Sequence, residues 1–350
     1  MTLQVIGVEA IRSLLAKLMK QGRVVAPHER PGDRQWVFDD LKDPADAVLD
    51  YVSTVLPPKK YAFPPKEALV HYELGDKPAA EAVVESEPMV LFGAHPCDIY
   101  ALCALDTAFA DEHAEANYLD KRARMRVIGI DCEPDEFCFC GSMGTASVDT
   151  GYDLFLTPLP GCDEYLLETG TEEGEAMLRG IATRDATAAE TGHLKTHLHQ
   201  KMQRERDINC DVINLPLLFA GFADSPVWER QAEKCYGCGT CNLTCPTCFC
   251  FDVLDEMDLS MASGDRVREW DGCMLEGFAK VAGGESFRED RSQRLRHRFF
   301  RKYAYLFTRY GRPYCCGCGR CVRQCLVGID PVAVINELLQ THGKGATIGV

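Results

Sequence analysis

The spacing of apolar residues predicts the first elements of the chain. Over 3–20, an apolar residue recurs at helical spacing, which predicts an amphipathic helix. A strand is predicted at 23–27 and an acidic helix at 44–55. Prolines cluster within 56–66, so we expect an extended segment there. The opening of the chain therefore predicts a mixture of helices and strands.

Two short apolar runs predict buried strands at 89–93 and 126–130. The stretch between them, 99–109, has helical character, and Asp98 is a suitable N-cap for it. Strand, helix and strand in this order predict a unit with parallel strands, whose carboxyl ends share one edge. Ligands usually bind at that edge. A further strand, buried on one face, is predicted at 152–157.

The stretch 170–199 begins with acidic residues and continues with helical spacing. It contains His193, His197 and His199, and histidines four residues apart on a helix are typical of metal sites. No carboxylate follows at a matching spacing. We therefore expect these histidines to lie on a solvated helix surface.

The chain has 19 cysteines in 350 residues, and two runs of them share one spacing. The runs are CYGCGTCNLTC at 235–245 and CCGCGRCVRQC at 315–325, which both read C-x2-C-x2-C-x3-C. This spacing is typical of [4Fe–4S] sites, and in two-cluster ferredoxins the fourth cysteine of each run binds the other cluster. The predicted ligands are Cys235, Cys238, Cys241 and Cys325 for cluster A, and Cys315, Cys318, Cys321 and Cys245 for cluster B.

Zinc is the alternative for these runs, because C-x2-C pairs also make zinc sites. A tetrahedral zinc site needs two pairs, whereas each run supplies a triplet and a distant fourth cysteine. The second run departs from the usual pattern, since Cys325 is followed by Leu326 and not by proline. Cys316 is an alternative ligand to Cys315, although the register favours Cys315.

Four more cysteines fall near the predicted edge of the sheet. Cys97 and Cys132 follow the two buried strands, while Cys138 and Cys140 follow within one loop. Four thiols that converge on one edge could hold a third metal centre, and an iron–sulfur cluster is favoured over zinc. An equally weighted alternative is that they are core cysteines, which are often buried. Three others are expected to be structural: Cys103, Cys162 and Cys210.

A long segment separates the two cysteine runs and contains Cys248, Cys250 and Cys273. These thiols could form another site, but we expect them to shield cluster A from solvent.

Residues 288–312 hold nine Arg or Lys against two acidic residues, above an apolar helical stripe. Two interpretations of this basic segment stay open: a solvated helix face that offsets the negative clusters, and a dock for an acidic partner or a neighbouring subunit.

Charge and missing motifs exclude several classes of function. A formal net charge of −15 argues against nucleic acid as the main partner. No apolar run is long enough to span a membrane, and the first residues show no secretory signal, so we expect a cytoplasmic protein. Cysteine at this density in a reducing compartment favours metal over disulfides. The sequence contains no P-loop, dinucleotide-binding glycine motif, nucleophile elbow or H-E-x-x-H.

Several motifs together are specific to one group of proteins. They are FPPKE at 63–67, GAHPCDI at 93–99, DC at 131–132, CFCGSMGT at 138–145, CPTCFCF at 245–251 and WDGC at 270–273. With both cysteine runs, these motifs resemble the iron–sulfur β subunit of cytoplasmic sulfhydrogenases and the similar A subunit of anaerobic sulfite reductase. The resemblance covers nearly the whole chain.

The resemblance implies an electron-transfer subunit without a substrate-converting site of its own. Its implied partners are a flavoprotein of ferredoxin-reductase type, which binds FAD and NAD(P), and a catalytic unit of hydrogenase, sulfite reductase or heterodisulfide-reductase type. Single electrons would pass through clusters A and B between them. Two alternatives stay open: an enzyme whose N-terminal cysteine group forms its own catalytic cluster, and a redox-sensing or structural binder.

The expected fold class is α+β in two domains. An α/β-type domain with a possible third metal site is predicted at 1–225. A bacterial two-cluster ferredoxin-like domain is predicted at 226–350, interrupted by an insertion at 251–311. Pro226 and Trp228 mark the expected boundary.

Overall fold

The computed structural model describes residues 3–32, 35–202 and 206–343, and it confirms a fold of mixed helices and strands. The strands are β1 (Gln4–Gly7), β2 (Arg23–Arg30), β3 (Gln35–Asp40), β4 (Lys66–Glu73), β5 (Ala79–Ala82), β6 (Met89–Ala94), β7 (Met125–Ile130), β8 (Leu154–Pro158), β9 (Glu164–Thr169), β10 (Arg184–Asp185), β11 (Phe251–Met257) and β12 (Ser263–Trp270).

The α-helices are α1 (Val8–Met19), α2 (Pro96–Ala110), α3 (Ala116–Ala123), α4 (Cys140–Met143), α5 (Glu172–Leu178), α6 (Ala188–Met202), α7 (Leu215–Ala220), α8 (Val227–Lys234), α9 (Thr240–Leu243), α10 (Arg291–Phe300), α11 (Leu306–Tyr310), α12 (Arg320–Arg323) and α13 (Pro331–His342). A π-helical turn, Arg301–Tyr305, joins α10 to α11. Short 3-10 turns lie at Pro44–Asp46, Pro58–Tyr61, Val212–Asn214 and Gly277–Ala279. Within the described ranges, no helix is both long and apolar enough to cross a membrane.

The larger sheet has eight strands in the order β10-β1-β9-β8-β7-β6-β2-β3. Its centre is parallel, since β2 pairs with β6, β6 with β7, and β7 with β8 in the same direction. The strand, helix and strand predicted around 89–130 are confirmed as β6, α2 and β7. Their nearly continuous apolar residues suit strands that are covered on both faces.

The smaller sheet is antiparallel, in the order β11-β12-β4-β5. It joins two distant parts of the chain, because β12 pairs along most of its length with β4. The hairpin of β11 and β12 follows the first cysteine run. Pairing with β4 therefore attaches the segment after that run to the N-terminal half.

Two helix predictions near the N-terminus are wrong. The stretch 3–20 is not one helix, because Gln4–Gly7 forms β1 between β9 and β10 and the helix begins only at Val8. The predicted acidic helix at 44–55 is only a 3-10 turn, Pro44–Asp46. Its later residues lie beside β3, where the Val55 N–H donates to the Trp36 carbonyl at 2.9 Å. In both places, contacts with distant strands override the local preference.

Other predicted elements differ at their ends. Helix α2 begins at Pro96 with His95 as its N-cap, three residues earlier than predicted, so Asp98 lies in its first turn. The strand predicted at 152–157 is Leu154–Pro158 and is buried on both faces. The stretch 170–199 contains two helices, α5 and most of α6.

Of the four apolar cores in the described part of the chain, the two largest cover the larger sheet and the C-terminal helices. The first covers the larger sheet and includes α1 and α2. The second gathers side chains of α7, α8, α10 and α13, among them Phe219, Trp228, Phe299 and Ile335. Cys235 is part of this second core, and Cys241 and Cys315 pack against it.

Candidate iron–sulfur centres

Glycines turn both cysteine runs into matching loops. Gly237 and Gly239 have φ of 68° and 73°, and Gly317 and Gly319 have φ of 62° and 69°. These left-handed conformations favour glycine. The turn directs the Gly237 N–H to the Cys235 Sγ at 3.3 Å. Each loop then enters a short helix, α9 or α12.

The first run and the end of the second run line one cavity, which we call cavity A. Its cysteines include the four predicted ligands of cluster A: Cys235, Cys238, Cys241 and Cys325. The cavity has a volume of about 500 Å³ including its opening to solvent. The N–H of Ile329 donates to the Cys325 Sγ at 3.3 Å. Tyr236 and Leu326 lie at the rim and are 68% and 81% exposed.

A second cavity, cavity B, has a volume of about 360 Å³ including its opening to solvent. Its cysteines include the four predicted ligands of cluster B: Cys245, Cys315, Cys318 and Cys321. Cys316 also lines it. The Tyr303 hydroxyl donates to the Cys315 Sγ at 3.2 Å. Hydrogen bonds of this kind orient the cysteine ligands of metal centres. The structure brings the predicted ligands together, while their bonds to iron stay a prediction.

The two cavities adjoin each other. Cys321 and Arg298 line both of them. Any groups held in the two cavities would therefore be neighbours, which electron transfer between them requires.

Three charged side chains of the basic segment, residues 288–312, are buried in the protein. Arg294, Arg298 and Lys302 follow one another at helical spacing of four, and all three side chains are buried. Arg291 donates to the Cys235 carbonyl at 2.6 Å. The interpretation of the basic segment as a solvated face is therefore wrong for these three buried residues, whereas Arg291 and Arg309 are exposed. Stabilising contacts around the cysteine loops outweigh the usual preference of charge for water.

Among the described residues, three buried cations near the cavities form no ion pair with a carboxylate. Lys302 Nζ donates to the Thr247 Oγ1 at 2.8 Å, and Lys59 Nζ donates to the Cys248 carbonyl at 2.6 Å. The Arg298 Nε has no hydrogen-bond partner in the described chain. Buried cations without an anion are strongly destabilising. An anionic iron–sulfur cluster with cysteine thiolates would supply the missing charge, so these residues fit such a group.

The N-terminal cysteines gather beside cavity B. Cys97 lies in the first turn of α2, and Cys132 follows β7, so both lie at the predicted edge. Burial raises the pKa of the Cys97 thiol well above its usual value, and neighbouring Asp98, Cys318 and Cys132 raise it further.

The loop that carries Cys138 and Cys140 packs on the second cysteine run. The Phe139 N–H donates to the Gly317 carbonyl at 2.8 Å. The Thr145 hydroxyl donates to the Cys316 carbonyl at 2.6 Å. A Cβ on Gly317 would lie 2.6 Å from the Cys140 nitrogen, so only glycine allows this approach. The loop of Cys138 and Cys140 and the loop of cavity B therefore form one packed unit.

Comparison with known proteins identifies the family. Residues 234–329 match the family model of the 4Fe-4S dicluster domain. Over 329 residues, the chain is 32% identical to sulfhydrogenase 2 subunit beta of Pyrococcus furiosus, which covers 92% of this chain and 94% of that protein. The chain belongs to the sulfhydrogenase β-subunit family. It is an iron–sulfur electron-transfer protein with a dicluster domain, as the motifs predicted.

In this member of the sulfhydrogenase β-subunit family, sequence reasoning missed the charged residues around the N-terminal cysteines. His197 Nε2 lies 2.8 Å from the Asp131 Oδ2, and Lys201 pairs with the same carboxylate. The expectation of a solvated surface is thus wrong for His197, which is buried. Despite burial, which opposes the charge, nearby Cys132 and Asp131 raise the pKa of Lys201.

A buried ion pair ties α2 to the second cysteine run. Arg320 donates to both carboxylate oxygens of Asp98, at 2.7 and 3.0 Å, and also to the Thr54 carbonyl at 2.9 Å. Asp98 belongs to the GAHPCDI motif, which was the only signal of its role in the sequence.

The remaining cysteines in question lie outside both cavities. Cys248, Cys250 and Cys273 do not line cavity A, and the prediction that they shield its contents stays a prediction. Among the described residues, no three His, Cys, Asp or Glu side chains are placed to share a single metal ion.

Proposed function

We propose that this chain relays single electrons between a flavoprotein that binds FAD and NAD(P) and a catalytic subunit of hydrogenase, sulfite reductase or heterodisulfide-reductase type. The observation that carries the proposal is the pair of adjoining cavities, each lined by cysteines of both runs. A [4Fe–4S] cluster bound in each cavity would take up and release one electron at a time. The proposed ligands are Cys235, Cys238, Cys241 and Cys325 in cavity A, and Cys315, Cys318, Cys321 and Cys245 in cavity B.

The other residues of the cavities exclude water and set the local charge. Met274 and Leu295 cover cavity A with apolar surface. Tyr303 supplies a hydrogen-bond donor and Lys302 a buried cation in cavity B. Hydrogen bonds, charge and exposure are what set the potential of an iron–sulfur centre. The two cavities differ in all three, which favours electron flow in a defined direction.

We propose that a redox partner docks at the rim of cavity A. Cys238 is exposed there, between the exposed side chains of Tyr236 and Leu326. Cavity B lies beside the N-terminal cysteines. We propose that those cysteines hold a third iron–sulfur centre, which extends the path into the N-terminal half: Cys97, Cys132, Cys138 and Cys140.

The partners follow from the family. The Pyrococcus furiosus relative is by name one subunit of a sulfhydrogenase, and we expect this chain likewise to work in a complex. The flavoprotein of ferredoxin-reductase type is the expected donor or acceptor. All 19 cysteines are free of disulfides, which suits the reducing cytoplasm that we propose for it.

The experiment that tests this function is anaerobic purification of the tagged chain from its own organism, with mass spectrometry of the bound proteins. We expect a flavoprotein and one of the three catalytic subunits. The isolated chain is expected to be reduced by NADH or NADPH only after the flavoprotein is added. A chain that purifies alone and turns over a substrate by itself would overturn the relay and favour a catalytic role for the N-terminal cysteines.

A further inference from the structure

Three cysteines outside both cavities converge at the base of one hairpin. Cys248 lies in the turn after the first run, Cys250 directly before β11, and Cys273 shortly after β12. Phe251 pairs with Trp270 at the open end of the hairpin. The Asp271 N–H also donates to the Cys250 carbonyl at 3.1 Å. The hairpin therefore carries Cys250 and Cys273 to the same end of the sheet.

A buried amide is directed at two of these sulfurs. The Asn242 Oδ1 accepts a hydrogen bond from the Met274 N–H at 3.1 Å, which fixes the orientation of the side-chain amide. Its Nδ2 then donates to the Sγ of Cys273 at 3.5 Å and to the Sγ of Cys248 at 3.7 Å. Donors placed in this way stabilise thiolates and metal-bound sulfurs.

Residue 272 has to be small for this amide to reach the sulfurs. A Cβ on Gly272 would lie 2.7 Å from the Asn242 Oδ1. Glycine at this position therefore lets the chain between Trp270 and Cys273 close over Asn242, as the WDGC motif provides.

The charge beside these sulfurs is positive. Lys59 is only 3% exposed, and its Nζ lies 4.3 Å from the centre of the Trp270 ring. Lys302 lines cavity B, so a cluster there accounts for its charge, whereas Lys59 lines neither cavity. The buried charge of Lys59 would therefore be balanced by negative charge at Cys248 and its neighbours.

We propose that Cys248, Cys250 and Cys273 bind a further iron–sulfur cluster through three cysteine thiolates, with Asn242 donating to two of them and Lys59 balancing their charge. Three thiolates suit a three-iron cluster, or a four-iron cluster whose last iron has a ligand other than cysteine. The inference concerns what the chain binds and does not depend on the proposed relay.

The test is the iron and sulfide content of the anaerobically purified chain, measured by native mass spectrometry. Cys250→Ser and Cys273→Ser are each expected to remove about three or four irons per chain relative to the unmodified protein. Cys103→Ser and Cys162→Ser serve as matched controls and are expected to lose none. Unchanged iron in both test variants, or zinc in place of the lost iron, would overturn the proposal.

Mössbauer spectroscopy of the unmodified protein gives a second readout that needs no variant. It is expected to resolve either a three-iron cluster or iron with a non-cysteine ligand, beside the iron of the all-cysteine four-iron clusters. Lys59→Met retains every thiol, and we expect it to lower the midpoint potential of this component more than those of clusters A and B. A spectrum with only the iron of all-cysteine four-iron clusters contradicts the site, and it leaves the clusters of cavities A and B intact as a separate result.

Discussion

The hydroxyl of Tyr303 donates a hydrogen bond to the Sγ of Cys315 at 3.2 Å, from within the π-helical turn Arg301–Tyr305. Isolated π-helical turns inside α-helices are frequent at functional sites. Here the turn places Tyr303 beside Cys315 and keeps Lys302, one residue earlier, at the wall of cavity B. Two neighbouring residues therefore act on the same proposed centre.

Removal of this hydroxyl is expected to lower the midpoint potential of cluster B. The hydrogen bond favours the more negative, reduced state, so Tyr303→Phe makes reduction harder. A difference of about 1 kcal/mol corresponds to about 40 mV for one electron. A redox titration followed by electron paramagnetic resonance measures it. Tyr305→Phe alters an exposed tyrosine of the same turn and is the control, and equal potentials in Tyr303→Phe and the unmodified protein contradict the assignment.

Loss of the shared arginine is expected to affect both centres. Arg298 lines both cavities, so Arg298→Met should lower both midpoint potentials, on the order of tens of millivolts. Lys302→Met should act mainly on cluster B. Arg296→Met removes a half-exposed charge from the same helix and should change neither potential. A shift of a single centre in Arg298→Met would show that the two cavities do not share this charge.

The cysteine loops could be predicted because their geometry is local. Spacing and the glycines at 237, 239, 317 and 319 determine how each run turns, and no distant contact is needed. The parallel strands β6 and β7 were predictable for a similar reason, since each is a short continuous apolar run. The strand at the beginning of the chain could not be predicted in this way. β1 is stabilised by pairing with β9 and β10, and the spacing of its apolar residues does not indicate a strand.

The inward direction of Arg298, Lys302 and Lys59 could not be predicted from the sequence. Arginine and lysine usually face water, and the anionic clusters proposed to reverse this preference would be held by cysteines that the local spacing around these residues does not reveal. Asp98 was misinterpreted for the same reason. It is a reasonable N-cap locally, but its partner is Arg320, more than 200 residues later.

Breaking the pair of Asp98 and Arg320 is expected to destabilise the protein strongly. Both side chains are buried, and removal of one partner from such a pair typically costs about 3–5 kcal/mol. Asp98→Asn should therefore lower the free energy of unfolding by an amount in that range, measured by anaerobic denaturant titration of the iron-loaded protein.

The control for this pair is an ion pair on the surface. Arg309 pairs with Asp111 in partly exposed positions, and Asp111→Asn should lower the free energy of unfolding far less than Asp98→Asn does. Equal destabilisation by Asp98→Asn and Asp111→Asn would mean that the buried pair does not fasten α2 to the second cysteine run.

A methyl group on Gly317 is expected to separate the N-terminal cysteine loop from cavity B. The added Cβ would lie 2.6 Å from the Cys140 nitrogen, and the residue also has a left-handed φ of 62°. Gly311 has a similar φ of 70° with open space around its Cβ, so Gly311→Ala carries only the backbone strain of about 1 kcal/mol. Gly317→Ala should therefore lower both the melting temperature and the iron content well below those of Gly311→Ala. If the two variants retain equal iron, the contact between the loops is not required to assemble the centres on either side of it.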